Sequence, residues 1–187
     1  MLAASSWAAK LAVVYAAQRP APLSGLLLLG PGLTAEVKLS AARQARVVVG
    51  HLVAPMAYLP IPLTPEQSTA NPPYQALIRA DPLRRLEATA QFFWETARLD
   101  RQRRRASARL RLPLLLLQGE ADKLIDVPKT RGWFARLGVQ DKTYRAYPGA
   151  GHTLDFEPDR TRYLADLLGW LSARAASAPS RPRGGGG

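Results

Sequence analysis

The chain contains no cysteine, which removes disulfide frameworks, thiolate metal sites and cysteine nucleophiles together. Histidine is almost as scarce: His51 and His152 are the only two, so any imidazole-dependent chemistry has two candidates. Acidic side chains are few, 14 Asp+Glu against 26 Lys+Arg, for a formal net charge of +12. Such a balance permits anionic partners. However, 21 of the 26 basic residues are Arg, and an Arg-, Ala- and Pro-rich composition also follows from nucleotide bias in a gene. The aromatic residues are not interleaved with the basic ones as in nucleic-acid-binding modules, so nucleic acid is set aside as a partner. No apolar run reaches the ~18 residues of a membrane span. The first 20 residues are apolar, but they lack a basic leading region and carry Lys10 in mid-stretch. They read as mature structure rather than a signal peptide, with a cytoplasmic location expected.

What is present is enough for one globular domain with a real core: 187 residues, 47% of them apolar. Residues 7 to 18, WAAKLAVVYAAQ, are apolar almost all round and predict a buried helix. GLLLLGPG, residues 25 to 32, predicts a buried strand closed by a tight turn. From about 33 to 111 the character changes. Seven prolines fall between Pro55 and Pro82, the pattern turns helical and no strand is evident, so an inserted helical region is expected. Its helices are placed near 40 to 53, 74 to 80 and 82 to 107, the last starting at Asp81-Pro82 as N-cap and first-turn proline. Alternation then resumes: strand 112 to 118, helix 127 to 138, strand 143 to 148, helix 159 to 174. This pattern predicts an α/β fold, a partial parallel sheet (1–32 and 112–174) flanked by helices. The tail from Ala175 has nothing to bury and is expected to be disordered.

His51 lies in a helical stretch of the insert, where a lone histidine is usually packing or surface. His152 sits in Pro148-Gly149-Ala150-Gly151-His152-Thr153, directly after a strand, where open α/β sheets place functional groups. Asp122 occupies the matching loop one unit earlier. Right-handed crossovers place consecutive parallel strands side by side, so Asp122 and His152 are expected within reach of each other. Ser6, in Ala4-Ser5-Ser6-Trp7-Ala8, stands at a strand-to-helix turn, and the chain order Ser, Asp, His is that of the α/β hydrolases.

On these residues, together with SSWAAKLAVVYAAQRP, GLLLLGPGL, PLLLLQGEADKLID and YPGAGHTLDFE, residues 1 to 172 resemble the back part of a serine α/β hydrolase of the monoacylglycerol lipase, lysophospholipase and serine aminopeptidase group. The resemblance implies an α/β-hydrolase fold whose insert (33–111) is a cap. It also implies a carboxylic ester hydrolase acting on acylglycerols or lysophospholipids. Ser6 would be the nucleophile, His152 the general base, Asp122 its orienting carboxylate and the Trp7 N–H an oxyanion-hole donor. No cofactor or metal is implied. Two features depart from the family pattern. Ala4 and Ala8 stand where GxSxG has glycines. The strands and second oxyanion donor that the family places ahead of the elbow do not precede it here. A second reading is therefore a catalytically impaired, truncated fragment serving as a binding or homodimerising module through an open sheet edge.

Plainer roles compete at each position. Ser6 alone reads as a helix N-cap. Asp126, before Val127-Pro128, reads as an N-cap rather than the acid. Asp155, Glu157 and Asp159 read as dipole partners of the last helix. Phe92, Phe93 and Trp94 point in different directions on one helix, so packing outweighs an acyl-pocket role. Seven arginines from Arg98 to Arg111, against Asp100 alone, form a basic helix end or a contact with an anionic membrane surface.

Overall fold

The computed structural model describes residues 1–21, 23–36 and 40–176. Four strands, β1 (Leu2–Ser5), β2 (Leu26–Leu29), β5 (Leu114–Gly119) and β6 (Lys142–Tyr147), form one parallel sheet in the order β1-β2-β5-β6. Leu26 pairs with Leu2 on one side and Leu114 on the other. The two leucine-rich strands are therefore central. They are buried on both faces, which is why their sequences show no polar alternation. On one face α1 (Ala8–Gln18) and α6 (Val127–Ala135) close a core around Leu26, Leu28, Leu114 and Leu116. On the other, α7 (Thr161–Ala176) brings Tyr163 and Trp170 against Leu27, Leu115 and Leu117.

Between β2 and β5 lie α2 (Ala41–Val53), α3 (Pro65–Ser68), α4 (Pro72–Ala80) and α5 (Ala90–Ser107). With them is a small two-stranded antiparallel sheet of β3 (Tyr58–Pro60) and β4 (Glu87–Thr89). This small sheet corrects the expectation that the region holds no strand. It also moves the start of the long helix from residue 82 to Ala90. Asp81 Oδ1 accepts from Leu83 N at 2.8 Å and makes a turn, while the N-cap is Thr89, whose Oγ1 accepts from Phe92 N at 3.1 Å. Of the tail expected to be disordered, Ala175 and Ala176 close α7 and the rest lies outside the described residues.

α5 joins the insert to the sheet layer. Its N-terminal part packs Ala90 against Val47 and Leu59. Farther along, Ser107 Oγ accepts from Trp133 Nε1 at 2.9 Å. Beside α1, Trp7 Nε1 donates to Thr96 Oγ1 at 3.2 Å and Lys10 Nζ reaches Asp100 Oδ2 at 2.8 Å. Lys10, which argued against a signal peptide, is thus a buried charge with a partner. Asp100 Oδ1 also stands 3.6 Å from Arg103 Nε, and burial pulls the Arg103 guanidinium below its ordinary range. One carboxylate therefore compensates two buried cations.

Removing one partner of a buried pair leaves the others uncompensated, at a cost of about 3 kcal/mol. Asp100→Ala is expected to lose about that much in urea unfolding. Asp141→Ala, which breaks the exposed pair with Arg174, should lose under about 1 kcal/mol. Equal losses in the two variants would contradict this account of the network.

Candidate active site

Ser6 lies between β1 and α1 with φ of 50°, the one non-glycine residue in the left-handed region among those described. The chain must turn sharply there. Ser6 N donates to Leu29 O at 3.0 Å, and Ser6 O accepts from Gly32 N at 2.8 Å and Ala9 N at 3.1 Å. These bonds fix the turn and present the hydroxyl at the carboxyl end of the sheet. The N-cap position of α1 is Trp7, without a side-chain cap, so the Ser6 hydroxyl does not serve as a helix cap. It meets His152 Nε2 at 2.9 Å instead. The two alanines of the turn are accommodated differently. Ala4 packs on the sheet core, and the Ala8 methyl faces solvent.

On its other side, His152 Nδ1 is 2.8 Å from Asp122 Oδ2. The Asp122 side chain is fully buried yet well supplied with donors. Oδ2 also accepts from Gln118 Nε2 at 2.9 Å, and Oδ1 accepts from the backbone N–H groups of Leu124 and Ile125 at 2.8 and 3.0 Å. A carboxylate so held favours the proton on Nδ1, which leaves Nε2 as an acceptor for a hydroxyl proton. Hydroxyl, imidazole and carboxylate in this order can move a proton away from the oxygen as it attacks an electrophile.

The three groups come from loops after three different strands, and the His152 loop must cross the sheet end to reach Ser6. It does so by lying against glycines. A Cβ at Gly119 would stand 2.0 Å from Gly151 O, and one at Gly30 would stand 2.7 Å from His152 O. Gly30 also has φ of 44°. At Gly32 a Cβ would meet Ser6 O at 3.0 Å and Trp7 N at 3.1 Å, crowding the space beside that N–H. Inside the loop Gly151 N donates to Glu157 Oε1 at 2.9 Å. Below it Tyr147 donates its hydroxyl to Asp166 Oδ2 at 2.9 Å. Burial, and then that bond, pushes the phenol above its ordinary range.

The structure thus brings Ser6, Asp122 and His152 together, with the Trp7 N–H in the adjoining turn. His51 stands apart, stacked on Trp94 at 4.6 Å. Asp126 caps α6 through Lys129 N at 2.9 Å. Of the three acids before α7, only Asp159 accepts from a backbone N–H of its first turn, that of Thr161 at 2.9 Å, among the hydrogen bonds of the described residues. Asp155 instead accepts from the Tyr163 hydroxyl and Glu157 serves the histidine loop, which corrects the dipole reading for both. Gln118, Gly30 and Gly119 were not foreseen as parts of the site. The only signal for them was their place at strand ends.

A family model described as serine aminopeptidase, S33, matches residues 1–159. Among curated proteins, the monoacylglycerol lipase of Mycolicibacterium smegmatis is 28% identical over 159 residues, covering 84% of this chain and 56% of that protein. The monoglyceride lipase of Mus musculus is 30% identical over 181 residues, covering 90% and 56% respectively. The chain therefore spans little more than half the length of these relatives. Among solved structures, the Paleococcus ferrophilus monoacylglycerol lipase superposes with a TM-score of 0.85 at 24% identity, over 92% of this chain and 68% of that one. A soluble variant of monoglyceride lipase from Saccharomyces cerevisiae, in complex with a substrate analogue, gives 0.79 at 17%, over 92% and 61%. At these identities the likeness establishes the α/β-hydrolase fold.

A methyl group at Gly119 forces the histidine loop to move, and overpacking of this kind costs about 1–3 kcal/mol. Gly119→Ala is expected to lose that much in chemical denaturation. Gly138→Ala, which faces open space, should stay within about 0.5 kcal/mol of the parent. A neutral Gly119→Ala would show that the loop does not rest on the β5 end.

Proposed function

This chain belongs to the serine aminopeptidase S33 family of α/β hydrolases, and on that premise we propose that it is a carboxylic ester hydrolase acting through Ser6, His152 and Asp122. The carrying observation is the unbroken relay from Ser6 Oγ through both ring nitrogens of His152 to the buried Asp122 carboxylate. Ser6 Oγ attacks the ester carbonyl while Nε2 takes its proton, and the imidazolium that forms is stabilised by Asp122. The developing oxyanion is met by the Trp7 N–H, at the positive end of α1. Collapse expels the alcohol with the proton from Nε2 and leaves an acyl-serine. Water, deprotonated by the same nitrogen, then releases the acid and restores the hydroxyl.

Acylglycerols or lysophospholipids are the proposed substrate class. The names of the relatives support this, as does the surface of the insert. Leu52 and Val53 on α2 are 73% and 75% exposed, Val49 one turn earlier is exposed too, and so is Met56 just past the helix end. With the exposed arginines of α5, Arg101, Arg104 and Arg105, the insert suits peripheral contact with an anionic lipid surface. Among the described residues no helix is long and apolar enough to cross a membrane.

One observation favours a second reading, a binding or dimerising module. Beyond β1 no strand is paired among the described residues, Ala3 and Ser5 are exposed there, and Leu11 and Tyr15 of α1 show apolar surface to solvent. Such an edge invites pairing with another chain.

A fluorescent fluorophosphonate is expected to label the parent protein and fail on Ser6→Ala and His152→Ala. Label-free parent protein that elutes as a folded dimer would favour the second reading instead. For the lipid contact, sedimentation with vesicles rich in anionic lipid should fall at least about tenfold in Leu52→Ser/Val53→Ser, since two apolar side chains each contribute ~1.5–3 kcal/mol when buried. Unchanged sedimentation of that variant would remove α2 from the contact.

A further inference from the structure

The loop carrying His152 is bound from within and also from the insert. Thr153 N, one residue past the imidazole, donates to Ser68 O at 3.0 Å. Three residues further, Phe156 O accepts from Asn71 Nδ2 at 2.9 Å, and the Phe156 ring lies flat on Tyr74 with centroids 4.4 Å apart and planes 10° from parallel. The gripping segment is itself braced. Thr69 is 1% exposed, its Oγ1 accepts from Asn71 N at 3.1 Å and its carbonyl accepts from Gln75 Nε2 at 2.9 Å. These residues join α3 to α4, far in sequence from the loop they hold.

We propose that Asn71 and Tyr74 are positioning residues for His152, so that the insert sets the reactivity of Ser6 as well as the access of substrate to it. This rests on the reading of His152 as the general base. The physical reason is lever length: the imidazole must meet two partners at 2.8 and 2.9 Å simultaneously. Its backbone lies across glycines that offer support but no side-chain grip. The Gly151–Glu157 bond closes the loop on itself and Tyr163 of α7 holds Asp155, while the insert ties the backbone on either side of that point, at Thr153 and Phe156. Losing the Asn71 amide loosens Phe156 and leaves a half-buried carbonyl short of its donor. A displacement of a fraction of an ångström at Nε2 then weakens proton transfer without altering the substrate surface.

The test compares Asn71→Ala, Asn71→Gln and Tyr74→Leu with the parent, and uses Leu83→Ala, an exposed residue of the insert outside this contact, as control. Two readouts are taken on each. One is the rate of fluorophosphonate labelling together with kcat and KM on a short soluble ester. The other is the low-field proton resonance of the His152 Nδ1–H, assignable because only His51 competes. Asn71→Ala and Tyr74→Leu should lose about ten- to hundredfold in labelling rate and kcat with KM little changed. Their low-field resonance should broaden or vanish. Asn71→Gln, which keeps the amide donor, should recover part of both, and Leu83→Ala should match the parent. Parent-like rates and resonance in either clamp variant overturn the proposal, as does a rise in KM alone. Should the parent not label at all, the hydrolase reading fails. The resonance still decides the clamp, since it reports the His152–Asp122 geometry without requiring turnover.

Discussion

The imidazole of His152 must bond at both of its nitrogens to groups that the sheet order keeps apart, and most of the site follows from that demand. Ser6 leaves β1 and His152 follows β6, at opposite ends of the order β1-β2-β5-β6. Three strand spacings of 4.7–4.9 Å separate them, roughly 14 Å. A side chain cannot bridge that gap, so the backbone has to. The histidine loop is laid over the ends of β5 and β2, and both supporting positions, Gly119 and Gly30, leave no room for a Cβ. Asp122, which follows β5, stands between the two and needs no such displacement. Glycine serves clearance at both positions, and at Gly30 it also accommodates the left-handed turn.

The same demand explains why the insert touches both ends of the site. α5 lies alongside α1, with Trp7 against Thr96 and Lys10 against Asp100. The contacts advance in step along both helices, so they run in the same direction. The α3–α4 junction touches the histidine loop. The insert thus holds the two ends of the relay from separate elements, and the sheet holds the carboxylate in the middle. A buried ion network and a backbone hydrogen bond are suited to this task because both fail sharply with distance.

Much of this was legible in the chain. The leucine runs at 26–29 and 114–117 announce central parallel strands because burial on both faces removes alternation. The order Ser6, Asp122, His152 at strand ends selects the site from only two histidines. The insert was harder to read. Asp81-Pro82 has the chemistry of a helix start, but Leu83 and Leu86, both exposed, gave an apolar pattern with nothing to pack on. Three-residue strands such as β3 and β4 are too short to show a period. Glu157 looked like a dipole partner because its neighbour Asp159 is one; its real acceptor role depends on a loop folding back across six residues. Lys10 was seen as a charge out of place, since its partner lies 90 residues away.

Ser6 holds a backbone conformation that L-residues avoid, at an order-of-magnitude cost of 1–3 kcal/mol. Glycine at the same position would relieve that cost and close no contact in the core. The fold and the chemistry therefore want different residues at one point in the chain. On the proposed reading of Ser6 as nucleophile, a descendant that no longer used the hydroxyl would gain stability by giving it up. Serine at position 6 is on that reading a stability–activity compromise, in which the fold remains less stable than it could be so that an oxygen stands where the turn exposes it.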